Sequence, residues 1–335
     1  MSIFNRLYFE NIFYYFIILL VIKMNFITKE KPYNTLTAYN LYKYNSKVAK
    51  IALNADFTCP NKDGKKGYGG CSYCSKLGSG DFAGNKEKPL KEQFEDIRKI
   101  LEQKWPNIKY MPYLQANSNT YASLDHLKKI YDEVIKLGGD KTIGISIATR
   151  ADCLPQNIVD YLGTLNKKIN VQIELGLQTS NEITAKQINR CSTNDEFIDA
   201  VKRLREQNIE VVAHIINGLP YEDEVDMLNT INFLNKLDIQ GIKIHSLLVL
   251  KDTALEKQYY NEHFKILTLN EYVEITAKQI THLRDDIIIH RLAADGNVLD
   301  LIEPKWTIKK MVVMNEIDKY LRKFNLYQGK YYKPE

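Results

Sequence analysis

The strongest constraint on the fold is a repeat of strand and helix patterns between residues 48 and 248. Apolar segments typical of strands lie at 48–55, 108–115, 142–148, 171–176, 210–216 and 241–248. Amphipathic segments typical of helices lie between them, at 90–104, after Ser123, and at 156–165, 194–204 and 222–236. Consecutive strand–helix units predict a parallel sheet with right-handed crossovers. The fold class is therefore α/β, as a doubly wound sheet or a partial (β/α)6 barrel.

Polar residues within the strands help to choose between these two folds. Five strands pair an apolar face with isolated polar side chains, at Gln115, Ser146, Gln172, Glu174, His214, Lys243 and His245. Strands buried on both faces of a doubly wound sheet are more uniformly apolar. Recurrence of polar groups from strand to strand therefore predicts an open barrel whose interior holds a ligand.

Three cysteines follow the first predicted strand in a glycine-rich loop. Cys59, Cys71 and Cys74 are spaced C-x11-C-x2-C, with four glycines between the first and the last. Zinc in a structural site usually has four ligands, and Cys153 or Cys191 could supply the fourth. Three thiolates also suit a [4Fe–4S] cluster with one iron left open for another ligand. We favour the cluster, because each of the other two cysteines follows a different strand.

The motifs of residues 30–330 resemble the radical S-adenosylmethionine (SAM) superfamily. The cysteine loop differs from the commonest signature, C-x3-C-x2-C, by a longer first spacer. In the form C-P-N-x-D-G-x8-C-x-x-C it is similar to a bacterial branch related to the catalytic subunit of Elongator, a tRNA wobble-uridine modifying enzyme. Further motifs match in order: Q-A-N-S-N-T-Y, T-R-x-D-C, E-L-G-L-Q-T with I-N-R, H-I-I-N-G-L-P, G-I-K-I-H and H-R-L-A.

The resemblance implies roles for named residues. Each of Cys59, Cys71 and Cys74 is expected to bind one iron of a [4Fe–4S] cluster, and the fourth iron to bind the amino and carboxylate groups of SAM. The expected SAM-binding residues are Tyr73, Gln115, Asn117, Glu174, Gln178 and Arg190. The expected substrate-binding or catalytic residues are Arg150, His214, Lys243 and His245.

Two of these expectations have structural alternatives. Arg190 is suited to fork onto the methionyl carboxylate of SAM, and a salt bridge at the end of a helix is the alternative. Glu174 could replace a missing carboxylate that often binds the ribose, or it could be an interior strut. The chain also lacks the family's G-G-E triplet, for which Asn117 or Asn119 is the expected substitute.

The resemblance also implies a reaction. The reduced cluster passes one electron to SAM, and the resulting 5′-deoxyadenosyl radical abstracts a hydrogen atom from the substrate. The expected partners are SAM, an electron donor such as flavodoxin or ferredoxin, and tRNA. Two other hypotheses stay open: a radical SAM enzyme acting on a small molecule or peptide, and a non-catalytic metal-binding scaffold.

Composition suggests three regions. Residues 1–28 form an N-terminal extension with an apolar run at 12–22, too short for the ~20 residues that cross a bilayer. We favour a translation start at Met24 over the two alternatives, a packed or interfacial helix and, least favoured, a membrane anchor. No membrane association is therefore expected. Residues 29–250 form the predicted core, and residues 251–335 a small C-terminal α/β extension. Five cysteines in 335 residues, an odd number, favour reduced thiols and a cytoplasmic location.

Positive charge is concentrated at the C-terminus. Residues 305–335 contain eight basic and three acidic residues, an excess equal to the net charge of +5 for the whole chain. Aromatic residues are interleaved with the basic ones, including Trp306, Tyr320, Phe324 and Tyr327. This pattern is typical of a nucleic-acid surface, and a solvated helix face is the alternative.

Overall fold

One parallel sheet organises the part of the chain that the structure describes. The computed structural model describes residues 26–78 and 80–334, in which seven strands pair in the order β1, β2, β3, β4, β5, β6 and β8. The strands are β1 (Val48–Leu53), β2 (Lys109–Leu114), β3 (Gly144–Thr149), β4 (Asn170–Gln178), β5 (Glu210–Asn217), β6 (Gly241–Ser246), β7 (Val249–Leu250), β8 (Ile288–Arg291) and β9 (Leu301–Glu303). Short strands β7 and β9 form a separate antiparallel pair. All six predicted strands of the core are confirmed.

The sheet is curled into a partial barrel. Neighbouring strands lie about 4.8 Å apart, so β1 and β4 would be about 14 Å apart in a flat sheet. Lys50 on β1 nevertheless donates a hydrogen bond of 2.5 Å to Gln172 on β4, and one of 3.1 Å to Ser146 on β3. These contacts across the interior require strong curvature. The predicted partial barrel of the radical SAM type is therefore confirmed.

Helices cover the outer face of this sheet. They are α1 (Leu36–Tyr44), α2 (Leu90–Lys104), α3 (Leu124–Val134), α4 (Gln156–Asn166), α5 (Glu182–Gln187), α6 (Asn194–Glu206), α7 (Glu224–Asn235), α8 (Ala254–Glu262), α9 (Leu269–His282) and α10 (Lys310–Lys323). Phe94 on α2, Leu127 on α3 and Phe197 on α6 are fully buried in the core that the helices share with the strands. The sequence pattern did not predict α1, α5 or α8.

Side-chain caps begin several of these helices where the sequence suggested. The hydroxyl of Ser123 accepts a hydrogen bond from the backbone N–H of His126 at the start of α3. At α6 the cap is Thr193, the residue before the predicted start of the helix at 194. Thr193 and Glu196 form a reciprocal capping box, which satisfies two backbone donors at once.

The C-terminal segment is not separate from the barrel. Strand β8, from the predicted extension, pairs in parallel with β6 and becomes the seventh strand of the main sheet. The predicted boundary at residue 250 therefore does not divide two sheets. Helices α9 and α10 pack against each other beside this strand.

Helix α1 lies at the N-terminal ends of the strands. It packs against both edge strands, β1 and β8. Its Tyr39 hydroxyl donates a 3.0 Å hydrogen bond to Glu210, the first residue of β5, and Lys43 forms a 2.5 Å ion pair with the same carboxylate. These contacts close the end of the barrel that lies away from the cysteine loop.

The predicted N-terminal features fall outside the described residues. The apolar run at 12–22 and the predicted start at Met24 both lie before residue 26. Among residues 26–78 and 80–334, no helix is long and apolar enough to cross a membrane.

Candidate cofactor and substrate site

A cavity of about 300 Å³ lies where the loops after the core strands meet. All thirteen residues predicted for the site line it: Cys59, Cys71, Tyr73, Cys74, Gln115, Asn117, Arg150, Glu174, Gln178, Arg190, His214, Lys243 and His245. Their convergence follows from topology, because the carboxyl ends of parallel strands meet at one end of a barrel. The individual roles remain predictions.

Two asparagines anchor the cysteine loop. The side-chain amide of Asn61 donates a 2.5 Å hydrogen bond to the carbonyl of Asn189, which follows α5. Asn189 in turn donates from its side chain to the carbonyls of Tyr68 and Gly70, at 3.2 and 2.7 Å. The two amides thus join the loop to the segment after β4. Both lie within motifs that the sequence displayed, C-P-N and I-N-R, but their role depends on contacts across the fold.

The three thiols fit an iron–sulfur cluster. Cys59, Cys71 and Cys74 all line the cavity, and none forms a disulfide with another described cysteine. Within the described ranges, no three His, Cys, Asp or Glu side chains converge closely enough to bind a single metal ion. A cluster offers a separate iron to each thiolate, so its ligands need not converge on one point. An all-sulfur donor set also matches iron–sulfur chemistry.

Arg150 and Tyr73 lie beside these thiols. Burial raises the pKa of Cys71, and the positive charge of Arg150 and a hydrogen bond from Tyr73 act against that rise. Arg150 is held in place by Asp152 at 2.9 Å and by the carbonyl of Arg190 at 2.8 Å. The ring of Tyr73 packs against an apolar cluster that includes Leu247. Both side chains are therefore fixed next to the cysteines.

Two SAM-binding candidates have strained backbones. Asn117, after β2, and Gln178, at the end of β4, have φ angles of 59° and 65°. Asparagine adopts this region more readily than other residues apart from glycine, so the strain falls mainly on Gln178; strain of this kind is concentrated at functional sites. Gly78 permits the close approach, because a Cβ there would lie 2.0 Å from the side-chain oxygen of Asn117.

The side-chain oxygen of Asn117 supports its predicted role. This oxygen is buried and accepts no hydrogen bond from the described residues, while the Asn117 amide donates 2.9 Å to the carbonyl of Phe57. An acceptor left in this way at the cavity suits a donor such as the amino group of SAM. The side-chain oxygen of the alternative residue, Asn119, also lacks a partner among the described residues, but Asn119 is fully buried and does not line the cavity. Its amide donates to the carbonyls of Leu114 and Ala148. Asn117 is therefore the better substitute for the missing triplet.

The guanidinium of Arg190 is occupied by the protein itself. It donates to the carbonyls of Leu177, Thr179 and Ser192 at 2.7–2.9 Å, and to Glu182 and Asn194 at 3.1 and 3.2 Å. These five acceptors match the five N–H donors of an arginine side chain. In this arrangement no donor is left for the carboxylate of SAM. The geometry favours the alternative interpretation, a structural ion pair between the end of β4 and helices α5 and α6.

Glu174 is the centre of a polar network inside the barrel. Its carboxylate forms ion pairs with Lys50 and Lys243, and it also bonds to His214 at 2.9 Å and Ser146 at 3.1 Å. Only 1% of Glu174 is exposed. Glu174 thus has the contacts of a buried structural residue that links several strands, and its contact with the ribose of SAM stays a prediction.

Charge interactions in this network shift several pKa values. Burial alone would raise the pKa of Glu174, but Lys243, Lys50 and His214 hold it well below its usual range. The pKa of Lys243 is lowered to about 7, chiefly by burial. Repulsion from Lys50 and Arg291 lowers it further, and the attraction of Glu174 only partly opposes these effects. Burial likewise lowers the pKa of His214 to about 4. The carboxylate is therefore ionised and His214 neutral near pH 7.

The sequence patterns missed three residues of the cavity region. Lys50 on β1 lies in the interior network, and Tyr113 on β2 and Arg291 on β8 line the cavity. Alternation along β1 could have identified Lys50, because it is the polar residue in an apolar strand. Arg291 could not be found in this way, because its strand was assigned to a separate extension.

Fold and site together define a class of protein. A partial parallel barrel with three thiols on the loop after its first strand is the architecture of an iron–sulfur enzyme of the radical SAM type. The chain belongs to the radical SAM superfamily: the superfamily model matches residues 65–234, and a radical SAM C-terminal domain model matches residues 239–323. Its cofactors are accordingly a [4Fe–4S] cluster and SAM.

Three comparisons illustrate the relationship. The chain is 43% identical over 303 residues to YtqA, an uncharacterized protein of Bacillus subtilis, covering 90% of this chain and 94% of that one. It is 22% identical over 195 residues to the tRNA-2-methylthio-N(6)-dimethylallyladenosine synthase of Thermotoga petrophila, covering 57% of this chain and 43% of the synthase. The structure of Elp3 from Methanocaldococcus infernus superposes with a TM-score of 0.62 at 16% identity, covering 84% of this chain and 64% of Elp3. That last likeness shows the fold alone.

Proposed function

We propose that this radical SAM enzyme modifies tRNA, with a wobble uridine as the target. The proposal rests on a basic and aromatic surface that begins at the cavity and runs along the C-terminal segment. Two likenesses agree with it: the cysteine loop resembles that of the Elongator branch, and one relative is named as a tRNA-modifying synthase. When bound, the cluster and SAM would supply radical chemistry, and the chain's own residues position the substrate and exclude water.

The basic surface starts at the cavity. Lys310, at the start of α10, forms a 2.6 Å ion pair with Asp295, which lines the cavity. Helix α10 then spans 14 residues, or about 20 Å at 1.5 Å per residue. The segment that follows α10 reaches the N-terminal end of β8, where Gln328 donates to the carbonyl of Ile287 at 2.8 Å. The surface therefore extends from the cavity to the opposite end of the barrel.

Exposed basic and aromatic side chains lie together at the far end of α10. Phe324 is 49% exposed, and the ammonium of Lys323 lies 5.2 Å from its ring centroid. Tyr327 and Tyr331 are exposed as well, and Lys330 lies within 6.0 Å of both ring centroids. Exposed rings can stack on unpaired bases, and basic groups contact phosphates. Only an extended substrate such as RNA can contact both this end and the cavity.

This geometry separates the proposal from its small-molecule alternative. A small molecule or peptide in the cavity has no use for basic groups about a helix length away. A tRNA contacts them through its phosphates while one base is flipped out of its stack into the cavity.

Site residues are assigned within this proposal. Cys59, Cys71 and Cys74 bind the cluster, Asn117 accepts a hydrogen bond from SAM, and Lys243 lies on the substrate side. An external electron donor such as flavodoxin or ferredoxin would supply the electron for the cluster. Replacing Cys71 with alanine abolishes both the cluster's visible absorbance and the formation of 5′-deoxyadenosine. A Cys71→Ala protein that still cleaved SAM would contradict the assignment.

The cellular test is mass spectrometry of tRNA nucleosides from a strain that lacks the gene. We expect the loss of one modified uridine, or the accumulation of its precursor, and recovery when the gene is returned. A plasmid copy carrying Cys71→Ala should not restore the nucleoside. An unchanged nucleoside profile would support the small-molecule alternative.

The binding test uses purified tRNA over a range of salt concentrations. Arg322→Gln with Lys323→Gln should weaken binding and reduce the slope of log K against log salt by about 2, one per lost phosphate contact. Lys167→Gln with Lys168→Gln removes the same charge from an exposed turn after α4 and is the matched control. Equal effects of the two double variants would indicate that the C-terminal surface is not the RNA site.

A further inference from the structure

Two cations lie side by side on the wall of the cavity formed by β6 and β8. Lys243 on β6 and Arg291 on β8 are direct partners in the register of these neighbouring strands. Both side chains line the cavity, and Lys243 is only 6% exposed. Like charges directly opposite each other on neighbouring strands destabilise a sheet. The arrangement therefore costs stability unless a negative charge lies between them.

The described part of the chain supplies too few carboxylates to this wall. Glu174 is shared by Lys50 and Lys243. Asp295 lies 3.5 Å from Arg291 but only 2.6 Å from Lys310. Four basic side chains therefore face two carboxylates, and this excess of positive charge, together with burial, lowers the pKa of Lys243 to about 7. The neighbouring histidine, His214, adds no negative charge because it is neutral or positive.

The position of Lys243 is fixed by its surroundings. Its ammonium pairs with Glu174 and lies 4.7 Å from the ring centroid of Tyr113. The same ring lies 5.3 Å from the ammonium of Lys50. A cation held between a carboxylate and an aromatic face has little freedom to leave the cavity wall. Beside it, His245 lines the cavity with its Nε2 atom buried and without a hydrogen-bond partner among the described residues.

We infer that Lys243, His245 and Arg291 form a binding site for an anionic group of the substrate, a carboxylate or a phosphate. The inference rests on the proposed function, because the substrate must reach the same cavity as SAM. Arginine and lysine on adjacent strands can bind two oxygens of one such group, which fixes the orientation of the substrate beside the cofactor. A neutral substrate would leave the excess positive charge with no counter-charge beyond Glu174 and Asp295 and would be selected against.

The test is a set of anion soaks of crystals of the full-length, cluster-loaded protein. Bromide gives an anomalous peak that identifies an anion directly, and we expect that peak between Lys243 and Arg291. Soaks in acetate and in inorganic phosphate distinguish a carboxylate site from a phosphate site by the shape of the bound density. The absence of a bromide peak at this wall would overturn the inference.

Substituted proteins and added SAM test whether the bromide peak belongs to the proposed anion site. Lys243→Met should lose the bromide peak, whereas Lys243→Arg should retain it. Lys43→Met removes another lysine–carboxylate pair, at the closed end of the barrel, and should leave the peak unchanged. A peak that persists in Lys243→Met would overturn the inference, as would a peak that SAM displaces, because the anion would then belong to SAM.

The proposed function is tested separately on the same preparation. Formation of 5′-deoxyadenosine without a bromide peak would contradict only the proposed anion site. A bromide peak without cleavage of SAM leaves the anion site in place and contradicts the proposed function.

Discussion

Replacing Glu174 with glutamine removes the only negative charge among the four network residues Lys50, Glu174, His214 and Lys243. The substitution keeps the shape of the side chain and one oxygen acceptor. It also places an NH2 group where the carboxylate accepted bonds from an ammonium or from His214. Donors then face donors, and two ammonium groups lose their shared counter-charge. We therefore expect Glu174→Gln to destabilise the barrel without disturbing its apolar core.

The magnitude follows from burial. Glu174 is 1% exposed, and the side chain of Lys243 is 8% exposed, so solvent screens this pair little. Breaking a buried ion pair by removing one partner costs about 3–5 kcal/mol. The side chain of Lys50 is 19% exposed and can recover part of its hydration. A loss near the lower end of that range, about 3 kcal/mol, is therefore expected.

The pH dependence has a defined sign. The pKa of Glu174 lies well below its usual range in the folded protein. A carboxyl group whose pKa is lower in the folded protein stabilises the fold at pH values above its pKa in the unfolded chain, about 4.3. This stabilisation is lost as the pH falls through the pKa in the folded protein. The difference between wild type and Glu174→Gln should thus be largest above about pH 5 and shrink in acid.

Urea denaturation of the metal-free chain, followed by circular dichroism, measures this difference. The metal-free form is preferred because cluster loss would complicate a two-state transition. Glu210→Gln is the matched control: its carboxylate also faces the barrel interior but pairs with one lysine, Lys43, whose side chain is 31% exposed. If Glu174→Gln costs no more than Glu210→Gln, the reasoning from shared cations is wrong.

Three further predictions use the same denaturation assay. Glu222→Gln should raise the free energy of unfolding by about 1–3 kcal/mol at pH 8, because burial raises the pKa of Glu222 to about 7 and its ionisation opposes folding. This gain in stability should vanish as the pH falls toward 4.5. Arg190→Met should lower the free energy of unfolding by about 3–5 kcal/mol, because the carbonyls of Leu177 and Thr179 lose their donors. Weaker binding of SAM at unchanged stability would instead support the predicted contact between Arg190 and the SAM carboxylate. The stability of wild type relative to Lys243→Met should rise between about pH 7 and 10, since the pKa of Lys243 is about 7 when folded. A difference that stays constant over this range would contradict this.

Much of the site was predictable because its signals are local. The cysteine spacing and the strand preceding it are contiguous in the chain, and parallel topology brings loop ends together without further information. This is why Cys59, Cys71, Cys74 and Asn117 were found together in one cavity. Recurring polar residues on the strands also predicted a lined interior, because the side-chain period of a strand is two.

Other features depend on which strands become neighbours. Lys50 meets Glu174 only because the sheet curls, since the two strands are three positions apart in the sheet order. Arg190 has the sequence position of a SAM ligand, yet its five donors are consumed by acceptors from distant segments. Residue spacing along the chain does not reveal that protein acceptors compete with SAM for the donors of Arg190.

The sequence by itself determined the order of the six core strands and the cysteine loop, because these follow from local periodicity and residue spacing, and its resemblance to the radical SAM superfamily implied the class of cofactor. Only the tertiary structure decided that β8 joins the main sheet and brings Arg291 into register beside Lys243. The pairing of β6 with β8 joins segments more than forty residues apart, and charge interactions between them depend on distance in space rather than along the chain.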